Sequence, residues 1–347
     1  MRSIAWRTRT APPIGSRHGT GLTPGKLNLR VSGDMHRRLS PGNTHGASLV
    51  ELMAGMLIGL IVLGIALQLV WVVRARYQRL ADEASIDDRG AQALELIASA
   101  LRQTGWVTDT PASSPVRRWP DTNALPPLVG ADDCGGLALI EGLHCTSGGI
   151  SDSDALLVRF AGRSRQPDGL QADGSVVDCS GYGVPERAKG DGDHPLAGFM
   201  LVYIGRAENG EPQLMCRTPS RRDGRFQAGK WTSRSMVTGV ETLQLLYALA
   251  ATPTSPSTTL SARTLTPAQW RRVQAVHIAI VVRGERIHAP ARDMSAAELT
   301  LFPDVREPIG AVPPDLYFRP TGIPRRRAVF TATVRLRNPL ICEADAC

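Results

Sequence analysis

The pattern of hydrophobic and polar positions changes character three times along this chain. From Leu52 to Val73, 22 residues, Gln68 is the only strongly polar side chain. A helix of that length, rising ~1.5 Å per residue, crosses a hydrocarbon core of ~30 Å. Polar helix formers follow from Gln78 to Ile86, and then Ala91, Leu94, Ile97, Ala98 and Leu101 recur at helical spacing. No proline interrupts Thr44 to Trp106. The pattern predicts one helix from Ser48 to about Gln103, C-capped by Gly105. Its first half is apolar all round, and its second carries an apolar stripe that needs a sheet to cover it. Gly55-x-x-x-Gly59 and Gly64 suit close helix approach, and Gly90 marks a place where the helix is expected to bend.

Beyond the helix the period shortens. Val107 to Ile150 is rich in Pro and Gly and reads as a long irregular excursion. Ala155–Phe160 is the first strand-like run. Gly198–Ile204 and Pro212–Arg217 flank Glu208-Asn209-Gly210-Glu211, where Asn-Gly predicts a hairpin with a type I′ turn. Val237–Leu249, Val273–Val282 and Ala328–Asn338 read as longer strands, and Thr252–Thr259 as a Pro/Ser/Thr loop. A helix followed by antiparallel strands is an α+β fold.

Charge refines this picture. The whole chain carries +8, but residues 1–46 hold eight bases against the single acid Asp34, so the rest is close to neutral. Arg37 and Arg38 precede the apolar run and place the N-terminus in the cytoplasm. Arg74, Arg76 and Arg79 follow the run and weaken that asymmetry, which Asp82, Glu83, Asp87 and Asp88 restore. All six cysteines, Cys134, Cys145, Cys179, Cys216, Cys342 and Cys347, follow the apolar run, as expected of an exported, disulfide-bonded region. Six cysteines allow 15 pairings; nearest neighbours (134–145, 179–216 and 342–347) are the working expectation.

The boundary of the apolar run carries the most specific motif. Gly46-Ala47-Ser48-Leu49-Val50-Glu51 sets a carboxylate at the mouth of a spanning helix, where it is costly without a partner. A secretory signal peptide would have a shorter apolar core and a small-residue cleavage site after it; here Gly46 comes before it. This motif resembles that of type IV prepilins. Further along, Asp154-Ala155-Leu156-Leu157-Val158-Arg159-Phe160, Val177-Asp178-Cys179-Ser180-Gly181, Val237-Thr238-Gly239-Val240-Glu241-Thr242-Leu243-Gln244-Leu245-Leu246-Tyr247, Trp270 and Phe330–Asn338 resemble the PilW family of minor pilins, which is similar to GspJ-type pseudopilins. The resemblance implies a type IV pilin-like fold, with a leader over 1–46 (its start at Met1 or Met35), an N-terminal helix over 47–105 that spans the membrane at about 52–73, and a β-rich periplasmic domain over 106–347. It further implies cleavage between Gly46 and Ala47 by a prepilin peptidase, N-methylation of Ala47 and a subunit-assembly role for Glu51. Ala47 departs from the Phe or Met usual at that position. The partners implied are other minor pilins, the major pilin, the inner-membrane assembly platform, membrane lipid and a PilY-type tip adhesin. Other readings are a GspJ-like pseudopilin of type II secretion and a signal-anchored periplasmic binding module that never polymerises.

Catalytic chemistry finds little support. H-E-x-x-H, G-x-S-x-G, a P-loop and a strand-borne G-x-G-x-x-G are all missing from the sequence, so no enzyme, cofactor or metal is expected. His144, His194, His277 and His288 are scattered; Asp152-Ser153-Asp154 and Asp191-Gly192-Asp193-His194 carry oxygen ligands but read as solvated turns. Arg221, Arg222 and Arg225, and Arg325-Arg326-Arg327, raise the question of DNA phosphates. The near-neutral mature chain favours a solvated face or a subunit contact over DNA.

Overall fold

The computed structural model describes residues 48–106, 126–138, 143–165, 171–186, 198–222, 225–251, 257–287 and 298–338. Gly46, Ala47, Asp191–His194, His288, Cys342 and Cys347 lie outside them. The chain divides into two units, Met1–Ile65 and Ala66–Cys347. Of the first, residues 48–65 are described and belong to helix α1, Leu49–Gln103. Their side chains are exposed, and a Cβ added at Gly55, Gly59 or Gly64 would meet nothing within 4 Å. The glycine face expected to admit a neighbouring helix is thus open.

The second unit contains the rest of α1 and two main antiparallel sheets. The first sheet has the order β1-β4-β5-β6-β7, from Leu128–Ala131, Ala155–Phe160, Gly198–Arg206, Pro212–Arg222 and Arg225–Thr238. Between β1 and β4 a small hairpin is formed by β2, Gly136–Ala138, and β3, His144–Thr146. The second sheet has the order β13-β10-β8-β9, with β8 at Val240–Leu249, β9 at Thr259–Leu260, β10 at Val273–Ile287 and β13 at Arg325–Arg335. Two one-turn helices, α2 (Pro267–Trp270) and α3 (Pro313–Leu316), and the short pair β11 (Leu299–Thr300) and β12 (Tyr317–Phe318) fill the connections.

The amphipathic half of α1 buries Asp82, Ile86, Gly90, Ala93, Ile97, Ala98, Ala100 and Leu101. These face Leu156, Val158 and Phe160 of β4, Val202 of β5 and Val276, Ile278 and Ile280 of β10 in one continuous core. Burial of a side chain such as Ile97 or Leu101 contributes ~1.5–3 kcal/mol. The stripe is displaced from the sequence expectation: Ala91 is exposed and Ala93 buried. The reason is Gly90, where a Cβ would lie 2.5 Å from the Phe330 ring. This glycine makes room for an aromatic ring of β13, and α1 continues through it unbroken. Gly105, at φ 69°, ends the helix as expected, and its N–H is donated to the Arg159 carbonyl.

Both sheets are covered on their second faces too. Ala155, Leu157, Phe199 and Leu201 lie under Cys134 and its neighbours, and Leu246, Ala279 and Val281 under Leu301, Phe302 and Phe318. This is why all of β4 is buried and its apolar run lacks strict alternation. Three strand expectations are corrected. Val237–Leu249 is two strands in different sheets, separated at Gly239 (φ 81°). The irregular excursion contains β1, β2 and β3. The β5–β6 hairpin is present, but only Gly210 of its turn has positive φ, and its N–H is donated to the Ala207 carbonyl at 2.9 Å. A type I′ turn needs two residues at positive φ, whereas a single glycine after a type I turn is a bulged three-residue loop.

Candidate assembly site

Glu51 is exposed in the first turn of α1. Its Oε2 accepts the Ser48 backbone N–H at 3.1 Å, and the Ser48 hydroxyl accepts the Val50 N–H at 3.4 Å. Carboxylate and hydroxyl therefore both satisfy otherwise orphaned donors at the helix start. The signal was present in the sequence as Ser48-x-x-Glu51, a capping-box spacing. The negative charge also sits at the positive end of the helix dipole. Gly46 and Ala47, the expected cleavage site, are outside the described residues.

The family-like segment Val237–Tyr247 acquires a physical meaning. Gly239 turns the chain from the first sheet into the second: its N–H is donated to the Pro212 carbonyl, and its own carbonyl accepts the Arg283 N–H. Two residues later Glu241 is buried between two arginines. Its Oε1 accepts from Arg283 Nη1 and Arg327 Nη2, both at 3.1 Å, and its Oε2 accepts from Arg327 Nε at 2.5 Å. Arg283 also pairs with Glu211 of the β5–β6 turn, as does Arg325 at 3.4 Å. Arg326 pairs with Glu83, and Arg89 with Glu285. Four elements, α1, β8, β10 and β13, and the β5–β6 turn are thus tied at one charged junction, which sequence reasoning did not identify. The available signal was a charged residue inside an apolar strand run.

That junction absorbs Arg325-Arg326-Arg327, the second basic cluster considered for DNA. In the first cluster Arg221 is paired with buried Asp178 at 2.8 Å, and its guanidinium lies 5.0 Å from the Tyr182 ring centroid. Burial raises the Asp178 pKa above the usual carboxylate value against the pull of Arg221. Cys179 is bonded to Cys216, which fastens this loop to β6, and Cys134 is bonded to Cys145 across the base of the β2–β3 hairpin.

Asp152-Ser153-Asp154 is only in part the solvated turn expected: Asp152 is exposed, whereas Ser153 and Asp154 are buried and hydrogen-bonded within the fold. Asp154 accepts the Leu245 N–H at 2.7 Å and the Asp133 N–H at 3.2 Å. Burial, reinforced by the negative charge of Asp132, raises its pKa well above the carboxylate range. The Asp152 carbonyl accepts from Gln244 Nε2 at 2.7 Å. His277 Nδ1 lies 2.8 Å from the Thr333 hydroxyl, with its pKa lowered by burial. His144 is exposed on β3. Among the described residues no group of three or more His, Cys, Asp or Glu side chains is placed to hold a metal.

Residues 202–338 match the family model PilW, the Type IV Pilus-assembly protein W. The match runs from β5 through β13 and includes Gly239, Glu241, Tyr247 and Arg327. The resemblance read from the sequence is therefore shown over this span. No curated protein matches the chain. Among solved structures, a type IV-like pilin from Thermus thermophilus is similar at 12% identity and a TM-score of 0.36, over 74% of this chain and 98% of that one.

Proposed function

We propose that this chain is a minor pilin: a non-enzymatic subunit, anchored in the inner membrane by α1 with its β-rich domain in the periplasm, that primes type IV pilus assembly and sits near the pilus tip. The observation that carries the reading is the PilW match over residues 202–338 in a chain whose helix opens with Glu51 and an uninterrupted apolar run. That helix includes an 18-residue window of mean hydropathy 2.7 with none of it buried, long and apolar enough to cross a membrane.

In this reading a prepilin peptidase cuts between Gly46 and Ala47 and leaves an α-ammonium on Ala47, which is then N-methylated. In lipid an unpaired carboxylate and an unpaired ammonium are each costly, and pairing offsets both costs. Until a neighbouring subunit offers its ammonium, Glu51 holds the Ser48 N–H as its donor. Pairing between subunits then sets the axial register. Other minor pilins, the major pilin, the assembly platform and a PilY-type adhesin are the partners, and twitching, adhesion or DNA uptake the processes served. The outer cysteines Cys342 and Cys347 pair with each other in this scheme.

The test is to shear pili from cells making the parent chain or Glu51→Ala and to probe each fraction for the subunit. The reading predicts the parent in the pilus fraction and the variant retained in the membrane. Equal incorporation of Glu51→Ala would remove the register role. Recovery of the parent only with secretion pseudopili would assign it to the GspJ-like class.

A further inference from the structure

The β5–β6 turn holds a reactive group that the ion-pair junction does not use. Of the five asparagines of the chain, Asn209 is the one followed by glycine. Asn209 and Gly210 are both exposed to solvent. The Asn209 side chain folds back over the turn, where its Oδ1 accepts the Glu211 N–H at 3.0 Å. Closing that hydrogen-bonded ring brings the side-chain carbonyl carbon, Cγ, near the Gly210 nitrogen. The Glu211 N–H also polarises the carbonyl, and it stabilises negative charge that develops on Oδ1 when a nucleophile adds to Cγ. A Cβ added at Gly210 would meet nothing within 4 Å, so nothing obstructs ring closure or the entry of water. Two contacts oppose the attack. The Gly210 N–H is donated to the Ala207 carbonyl at 2.9 Å, and Arg206 Nη1 donates to the Gly210 carbonyl at 3.1 Å. Both lie on an exposed turn, where water replaces them on local opening.

A second turn shares this frame. In Asp173-Gly174-Ser175 the Asp173 Oδ1 accepts the Ser175 N–H at 2.8 Å and the Ser175 hydroxyl at 2.7 Å, and Gly174 is equally open. Those hydrogen bonds from Ser175 hold the Asp173 pKa below the usual carboxylate value. An ionised carboxylate repels a nucleophile and has no leaving group. Asn209 presents the same geometry with a neutral amide that releases ammonia.

We infer that Asn209 is a self-modification site, converted through attack by the Gly210 nitrogen and hydrolysis by water into isoaspartate and aspartate. In the first step a bond forms between the Gly210 nitrogen and Asn209 Cγ, and the bond from Cγ to the side-chain nitrogen breaks. Water carries the Gly210 amide proton to the departing ammonia. In the second step water adds to one of the two ring carbonyls and breaks its bond to nitrogen. Where the main-chain carbonyl is the one released, the backbone runs on through Cγ and is one carbon longer. Glu211 follows directly and pairs with Arg283 and Arg325, and the Pro212 carbonyl accepts the Gly239 N–H where the chain changes sheet. The longer turn displaces Glu211 and loosens this arm of the junction, so the modification marks old subunits with a weaker fold.

The experiment incubates the full-length protein, folded in detergent at mildly alkaline pH, and maps its peptides by mass spectrometry over several days. Fragmentation that separates isoaspartate from aspartate reads the products. The peptide containing Asn209 should gain the mass of OH in place of NH2, with isoaspartate among the products. Asn209→Gln, which would have to close a larger ring, should gain none there, and neither should the peptide containing Asn338, whose next residue is a proline without an N–H. An unchanged Asn209 in the folded protein, while a synthetic peptide of residues 206–217 converts, overturns the site. Isoaspartate at Asp173 to the same extent as at Asn209 overturns the role given to the neutral amide. Brief proteolysis of the aged protein at its urea midpoint should leave isoaspartate about threefold or more enriched in the cleaved fraction over the surviving one. Equal amounts in the two fractions overturn the link to the junction.

Discussion

Removing Glu241 tests the charged junction. In Glu241→Ala the guanidinium of Arg327, whose side chain is 6% exposed, loses both of its carboxylate contacts. Among the described residues it retains the Arg325 carbonyl at 3.1 Å and the Thr321 carbonyl at 3.5 Å. Arg283 loses one partner and keeps Glu211. Stranding a buried charge costs about 3–5 kcal/mol; the second partner of Arg283 puts this case near the lower figure, about 3 kcal/mol. Glu241→Gln keeps one good acceptor and should lose about 1.5–3 kcal/mol. Proteolysis of the full-length protein in detergent, after equilibration across a urea series, reads the unfolding midpoint of the β-rich domain. With a slope of about 3 kcal/mol per molar urea, the Ala variant should shift by about 1 M. Adding Arg327→Met should restore part of the loss, because the stranded charge is gone. Midpoints of both single variants within about 0.2 M of the parent would refute the reasoning.

Three further outcomes follow from the packing. Gly90→Ala should destabilise by about 1–3 kcal/mol despite the better helix propensity of alanine, and Phe330→Leu should relieve the loss; thermal unfolding of the two variants checks it. The raised Asp154 pKa means that the fold keeps this proton longer than the unfolded chain does. Its contribution is therefore fully present below the unfolded value of ~3.9 and is lost as pH rises through the folded value, so Asp154→Asn should flatten that part of a stability–pH profile. Asp154→Ala should cost about 1–3 kcal/mol for each of the Leu245 and Asp133 N–H groups it orphans. Replacing Cys179 and Cys216 by Ser, which opens a link of sequence separation 37, should cost about 4 kcal/mol, against about 3 for Cys134 and Cys145 at separation 11, in paired urea titrations.

What was legible in the sequence depended on how local the signal was. Ser48 to Gln103 was readable because no proline and no change of period interrupts it, and α1 occupies Leu49–Gln103. The PilW-like strands were readable because apolar residues dominate them. β7 was not: Arg225 to Thr238 mixes Lys, Arg, Ser and Thr on an edge strand that needs little burial. β1, β2 and β3 escaped because they are short and set among Gly and Pro, and tertiary contacts and the Cys134–Cys145 bond define them. Gly239 was visible as a residue, but its switch of sheet is a tertiary event. Glu241 was quoted for its resemblance; that it would be buried between Arg283 and Arg327 depends on residues 42 and 86 positions away. Gly90 shows the same limit in reverse: a glycine in a helix suggested a bend, and a ring from β13 occupies the space instead.

The central claim is that this is a processed pilin subunit, and the most direct measurement is the intact mass and N-terminal sequence of the protein extracted from membranes. The account predicts a chain beginning at Ala47, with one added methyl group. A chain beginning at Met1 or Met35 would contradict it, because Glu51 would then have no ammonium to meet in a neighbouring subunit.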